Sequence, residues 1–189
     1  FKGKQLYQWL HQKAAGSYEE MTNLSEGLRK KLTEQEPLTH LEVVEVQTSK
    51  IDGTQKYLFQ LADGNVIESV WMQYKHGNSV CISSQVGCRM GCRFCASTLL
   101  GLSRNLYPSE MLDQIYAIQK ATGERVSHLV VMGTGEPFDN YDNVMNFLAT
   151  VNHDRGLGIG SRHITISTCG IVPRIYDFAN EHTQYNLAI

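Results

Sequence analysis

No stretch of this sequence approaches the roughly twenty consecutive apolar residues that a membrane-spanning helix needs, so a helical bilayer span is excluded. The first residues, FKGKQLYQWLHQK, lack the continuous apolar run and small-residue cleavage site of a secretory signal, and a cytoplasmic location is the expectation. Charge of one sign is also missing. The net charge of −2 excludes the general basic field that would by itself point to nucleic acid. Residues 1–31 depart from this balance, because Lys2, Lys4, Lys13, Arg29, Lys30 and Lys31 stand against Glu19, Glu20 and Glu26, a net of +3. A solvated helical face accounts for that excess as well as an RNA contact does. Internal repeats and low-complexity tracts are lacking too.

What remains is the composition of an ordinary globular protein, 42% hydrophobic and 19% charged over 189 residues, enough for one substantial core with a small appendage. The chain begins at Phe1 and stops at Ile189 inside YNLAI, which reads as a buried strand without a polar tail. A segment of a longer protein is therefore expected.

Three textures follow one another. Residues 1–36 form a helical module. Leu6, Trp9 and Leu10 recur at helical spacing, Gly16 punctuates, Ser17 and Glu20 have the spacing of a capping box, and Leu24, Leu28 and Leu32 continue until Pro37. Residues 37–78 are β in character: LEVVEVQTS, QKYLFQL and NVIESVWMQY are divided by Asp52-Gly53 and Asp63-Gly64, strong hairpin signals, and predict an antiparallel meander leading into SVCIS. Residues 79–189 alternate. PSEMLDQIYAIQKATG, NYDNVMNFLATVNHD and VPRIYDFANEH read as helices, whereas VSHLVVMG, RHITIST and YNLAI read as short apolar strands. The pattern predicts an α/β fold with parallel strands covered by helices. Ligands of such folds sit at the carboxyl ends of the strands, and each unusual loop here follows a strand: QVGCRMGCRFC, GTGEP and TCG.

Cysteine is scarce except in one place. Four of the five lie in CISSQVGCRMGCRFC, residues 81–95. In a reducing compartment, close spacing favours metal ligation or redox chemistry over disulfides. Cys88, Cys92 and Cys95 form C-x3-C-x2-C, with Gly87 and Gly91 allowing the backbone to bend round a metal centre. A structural zinc is closed by four ligands, usually in two pairs, and a second pair is missing. Iron-sulfur clusters also usually take four cysteines, so three from one loop would leave one iron open to a substrate or cofactor. Cys81 by itself reads as a buried strand cysteine, Cys169 as a small buried hydrophobe, and His128 and His163 as structural residues of strands.

The triplet after the first strand of a βα array resembles the cluster motif of the radical S-adenosylmethionine enzymes. The longer strings CISSQVGCRMGCRFCASTLLGLSRNL, VVMGTGEPFDNYDNV and HITISTCGIVP resemble the RNA adenine methyltransferases of the RlmN and Cfr group, and the resemblance spans nearly the whole chain. It implies a partial radical SAM (β/α) barrel and a 4Fe-4S cluster on Cys88, Cys92 and Cys95 whose free iron is chelated by S-adenosyl-L-methionine. Gly135, Glu136 and Ser167 match cofactor-contacting positions. The resemblance further implies methylation of adenine in 23S rRNA and tRNA, at carbon 2, with the carbon-8 branch as the nearest alternative. A methylated cysteine near the family's C-terminus carries the methyl group. Cys81 matches the cysteine that releases product by a disulfide with it, and Glu68 matches the proposed base for the ring proton. The methyl-carrying cysteine, the Ser-Leu-His segment and a later asparagine of the family have no counterpart in residues 1–189, so cluster ligation without turnover is expected of this segment. An electron donor such as flavodoxin, a monomeric state and no membrane partner complete the expectation. Arg104, Asn105 and the basic front module are candidate RNA contacts. Two other readings stay open: a non-catalytic RNA-binding module stabilised by metal, and a radical enzyme acting on a small metabolite.

Overall fold

A computed structural model describes residues 2–38 and 40–189. Two helices, α1 (Lys2–His11) and α2 (Glu26–Gln35), pack with the turn at Tyr18–Glu20 around a small core of Ala15, Tyr18, Met21 and Leu24. Glu20 does not complete a capping box with Ser17. Its carboxylate instead accepts the Gly16 N–H at 3.1 Å, one residue earlier, and the Ser17 side chain makes no cap bond. The intervening segment is a single turn of 3-10 helix, whose geometry turns the Glu20 side chain to Gly16 and not to Ser17.

Beyond Pro37 the chain builds a seven-stranded sheet in the order β1-β2-β3-β4-β7-β8-β9. The meander β1 (Glu42–Thr48), β2 (Gln55–Gln60), β3 (Val66–Tyr74) and β4 (Gly77–Ile82) is antiparallel. The turn glycines Gly53 and Gly64 hold φ of +75° and +83°, the left-handed values that Asp-Gly turns exploit. From β4 onward the pairing becomes parallel, to β7 (Val126–Val131), β8 (Ile164–Ser167) and β9 (Asn186–Ala188). Helices α3 (Pro108–Thr122), α4 (Tyr141–Asn152) and α5 (Val172–Asn180) make the crossovers. Pro108 starts α3, and Gly123 ends it at φ +69°.

One face of the sheet is dry. Tyr57, Phe59, Ile67, Val80, Ile82, Leu129, Val131, Ile164 and Ile166 meet Met111, Ile115, Ile118, Val144, Phe147 and Leu148 in one core. Period-two alternation sends the intervening residues to the opposite face, which is half-buried. The register sets Val70, Cys81, Val130 and Thr165 in one row across that face. Glu68 and Ser167 lie two residues further along their strands, towards the carboxyl ends of β4 and β8. This mixed α/β sheet with its run of parallel strands is the predicted partial barrel.

The amino-terminal ends of the parallel strands carry the histidines. His128 Nε2 and His163 Nδ1 are 2.9 Å apart, and the His76 ring stands edge-on to His128. Burial, with His163 and His76 adding to it, holds the His128 pKa below its ordinary value.

Arg104 is turned inward. It sits on β6 (Leu102–Asn105), where its guanidinium donates to Asp63 at 2.5 Å and to both oxygens of Glu110 at 2.9 and 2.8 Å. Asn105 Oδ1 is taken by Gln85. Arg104 thus ties the β2–β3 turn to α3 and is committed to those carboxylates, whereas the exposed Asn105 keeps its amide donor clear of the Gln85 bond. Arg104→Met is expected to lower the melting temperature at neutral pH by about 3 °C. The Arg104 hydrogen bond, with help from Asn65, holds the Asp63 carboxyl well below the usual range, so its contribution is present above the unfolded carboxyl pKa of about 4 and fades as pH falls below it. The gap between wild type and variant in thermal melts closes on acidification; a constant gap would contradict the pairing.

Candidate functional site

Directly after β4 come Ser83, Ser84 and Gln85, three polar residues that are among the most buried in the protein. Buried polar groups need partners, and long side chains from neighbouring elements provide them. Gln114 of α3 accepts the Ser83 N–H at 2.9 Å and donates to its carbonyl at 3.0 Å. Asn140 donates to the carbonyls of Ser84 and Leu106 at 2.8 and 2.9 Å. The Ser84 and Gln85 N–H groups both reach the Thr134 carbonyl.

The GTGEP loop is thereby pressed onto the end of β4. A Cβ on Gly133 would stand 2.7 Å from the Ile82 carbonyl, and one on Gly135, at φ +110°, would stand 2.6 Å from Gln85 Cβ. Glycine is needed at both positions for backbone to lie on backbone. The loop delivers Glu136, whose carboxylate is buried and already accepts three bonds: Phe138 N–H at 3.0 Å, Thr168 Oγ1–H at 2.7 Å and Cys169 N–H at 2.8 Å. These take three of the four lone-pair positions of a carboxylate, and the Cys169 thiol also reaches the group. Thr168, not its neighbour Ser167, touches Glu136, and sequence reasoning missed it. The available signal was a hydroxyl residue closing the apolar RHITIST pattern just before Cys169-Gly170.

The cysteine loop leaves the same strand end. Its stem is a short ribbon of β5 (Gln85–Gly87) against β6, absent from the sequence reading. Gly87, at φ +73°, lies so close to Gly101 that any Cβ would overlap its carbonyl, and Cys88 N–H donates to that carbonyl at 3.0 Å. Cys88 is buried; Cys92 and Cys95 are half-buried on a turn where Cys95 N–H reaches Cys92 O at 3.0 Å. The tip exposes Phe94, Leu99 and Leu100. Burial pushes the Cys88 thiol pKa up, and Cys95, Glu136 and Cys92 are near enough to add to the rise.

Cys169 is not the buried hydrophobe expected. It is exposed, and its backbone is tied to Glu136. Partial desolvation of its thiol, a hydrogen bond to Glu136 with that carboxylate's charge, and the nearby Cys92 and Cys88 push its pKa up to about 11.

Among the described residues, no three His, Cys, Asp or Glu side chains gather closely enough to hold one metal ion. A mononuclear zinc would draw its thiolates to about 4 Å from one another. A cubane takes each thiolate on a different iron, and the spread of Cys88, Cys92 and Cys95 along one loop fits that donor set.

Cys81 and Glu68 share the uncovered face, one step apart in adjacent strands. Glu68 is half-exposed, with Lys56 Nζ at 3.6 Å. Burial raises the Cys81 pKa, a Met132 backbone hydrogen bond offsets part of this, and the Glu68 charge adds to the rise. Alkylation of Cys81 by iodoacetamide, followed by peptide mass spectrometry, is expected to be slow at neutral pH and to accelerate only above the ordinary thiol pKa of about 8.5. Glu68→Gln should move that curve to lower pH; a curve insensitive to Glu68 would separate the two residues.

The sequence model of the radical SAM superfamily matches residues 82–188, and that of the ribosomal RNA large subunit methyltransferase N-terminal domain matches residues 1–37. Over its full length the chain is 64% identical to a probable dual-specificity RNA methyltransferase RlmN of Lachnospira eligens and 56% identical to one of Staphylococcus carnosus, covering 54% and 52% of those proteins. The chain thus spans about half the length of the curated relatives it matches. The crystal structure of a radical SAM methyltransferase from Sphaerobacter thermophilus superposes with a TM-score of 0.91 at 39% identity, over 98% of this chain and 55% of that one.

Proposed function

The chain belongs to the radical SAM superfamily, and from that premise we propose that the protein carrying it methylates carbon 2 of adenine in 23S ribosomal RNA and transfer RNA. The observation that carries the proposal is one placement: three thiols on a glycine-hinged loop at the carboxyl end of the first parallel strand, facing a second loop that presents Glu136. Cys88, Cys92 and Cys95 would hold a 4Fe-4S cluster, with S-adenosyl-L-methionine at its open iron. When bound, that pair supplies one-electron cleavage of a sulfonium carbon–sulfur bond, the radical source that a ring carbon without an acidic proton calls for.

The protein's own groups then have separable tasks. Glu136, held by Phe138, Thr168 and Cys169, turns its negative charge to the cofactor's ammonium group, and Gly135, packed against Gln85, meets the cofactor with its backbone. Ser167 lines the same strand end. On the uncovered face, Glu68 takes the ring proton, and Cys81, kept as a thiol by burial until it gives up its proton, bonds to the sulfur of a methyl-carrying cysteine outside this segment as the bond from that sulfur to the product carbon breaks and the carbon takes up a proton. The basic module of α1 and α2, with Lys2, Lys4, Lys30 and Lys31 exposed, meets RNA phosphate. The protein works in the cytoplasm as a monomer and draws electrons from a donor such as flavodoxin.

Mass spectrometry of RNA from cells lacking the gene tests the assignment. Loss of 2-methyladenosine from both RNAs is expected; loss of 8-methyladenosine would move the reaction to the other ring carbon, and unchanged levels of both would refute it. Anaerobic reconstitution tests the cofactor, since an iron-sulfur spectrum that changes on adding S-adenosyl-L-methionine is expected, and stoichiometric colourless zinc would instead support a metal-stabilised binding module.

A further inference from the structure

The cysteine loop has little to hold it. A Cβ at Gly91 would meet nothing, Phe94 and Leu100 are almost fully exposed, and order in the loop must come from its stem. One carboxylate reaches both sides of the buried thiol there. Asp139 lies in the 3-10 turn Pro137–Asn140, directly after the loop that carries Glu136. Its Oδ2 accepts Gln85 Nε2 at 3.0 Å, three residues before Cys88, and its Oδ1 pairs with Arg89, the residue after Cys88. Gln85 is fully buried and closes the circuit: its Oε1 accepts the Glu136 N–H at 2.8 Å, and its Nε2 also donates to Asn105 at 2.8 Å, across the ribbon.

We propose that Asp139 is a positioning residue, which with Gln85 and Arg89 latches the cysteine loop to the Glu136 loop so that the thiols and the cofactor carboxylate are held in register. The core does not ask for a carboxylate here. Phe138 fills the apolar interior and Asn140 caps the Ser84 and Leu106 carbonyls, whereas the Asp139 side chain, 8% exposed, meets only the stem residues Gln85 and Arg89. Burying it is costly unless it is paired. Burial alone would push its pKa up, but Arg89 and Gln85 outweigh this and hold it low. Its two oxygens point to two different partners, so the pairing fixes the loop directionally. A rigid outer contact of this kind is what a multidentate ligand set needs to be preorganised.

The latch rests on the cluster reading only for its purpose, and measurements on the metal-free and on the reconstituted full-length protein keep the two apart. In the metal-free protein, hydrogen exchange of residues 88–100 reads the latch alone. Arg89→Met, a substitution of a side chain that is 63% exposed, should raise exchange there about fivefold, and Asp139→Asn should do the same. Arg89→Lys, which keeps the charge, should stay near wild type. In the reconstituted protein, chelator stripping of iron should accelerate about fivefold in Arg89→Met and Asp139→Asn. The change in the electron paramagnetic resonance spectrum on adding S-adenosyl-L-methionine should be partial in both variants, and the double variant should be no worse than either single one. Unchanged exchange, or iron loss that only tracks melting temperature, overturns the latch. Wild-type protein that holds no iron-sulfur cluster overturns the function proposed above, while raised exchange in the variants would still establish the latch.

Discussion

Cys88→Ser is expected to abolish iron-sulfur incorporation and, with it, formation of 2-methyladenosine, by more than about 100-fold, since even outer contacts to metal ligands are worth 10–100-fold. Of the three thiols, Cys88 is the buried one. It is anchored by its own N–H to Gly101 O, and Gly87 beside it is in van der Waals contact with the same carbonyl. A hydroxyl there is a poor ligand for iron, and the backbone offers no freedom to bring another donor in. The change removes one small polarizable atom, so the fold should persist, and circular dichroism and thermal melts of the metal-free variant should match wild type. Cys169→Ser supplies the contrast. Its thiol is near Cys88 and Cys92, yet it belongs to a different loop and is hydrogen-bonded to Glu136. That variant should keep its iron, as measured by iron and sulfide content and by the visible absorption band. If Cys88→Ser holds a full cluster, or Cys169→Ser loses it, the ligand set is wrong.

The contrast between these two cysteines also marks where the sequence was legible. Asp52-Gly53 and Asp63-Gly64 announced the hairpins because a type of turn, not tertiary packing, chooses those residues. The βα alternation was legible because strands buried on the helix side and amphipathic helices have different periods. Cys88, Cys92 and Cys95 could be grouped because their spacing is local. What stayed hidden was every assignment that depends on distant partners. QVG and LSRN are too short to carry a period, so the ribbon that closes the cysteine loop had no local signature. Gln85 opened what read as a loop and Ser83 closed what read as a strand, and nothing local announced that Gln114, Asn140 and the GTGEP loop bury Ser83, Ser84 and Gln85. Arg104 looked free because Asp63 and Glu110 come from a hairpin turn and a helix. Cys169 looked like core because a small thiol on a short loop carries no local signal of its exposure.

Gln114→Leu should cost about 3 kcal/mol of stability, close to 8 °C in melting temperature, the largest loss expected from any single polar change in the protein. The Gln114 amide is completely buried and serves four groups: Ser69 Oγ at 2.7 Å, Ser83 N–H at 2.9 Å, Ser83 O at 3.0 Å and Glu110 O at 3.2 Å. Leucine fills the volume and leaves the Ser83 amide, the Ser83 carbonyl and the Ser69 hydroxyl without that partner in a dry layer, each such group costing about 1–3 kcal/mol. Gln114→Glu tests the direction of the bonds rather than their number. One oxygen of the introduced carboxyl can still accept from Ser69 and Ser83, but the other would face two carbonyl oxygens where the amide donated. Only the protonated acid can donate there, so folding raises the pKa of the new group above its unfolded value of about 4.3. A group with a raised folded pKa binds more protons in the native state, and stability therefore falls as pH climbs from the unfolded value to the folded one. Denaturant melts should find Gln114→Glu nearest to wild type at about pH 4 and progressively weaker towards neutrality, whereas the deficit of Gln114→Leu stays constant. A Gln114→Glu deficit that did not change with pH would mean that water reaches this end of β4, and the polar stem of the cysteine loop would then be a wet joint instead of the dry, fully bonded hinge on which the site is mounted.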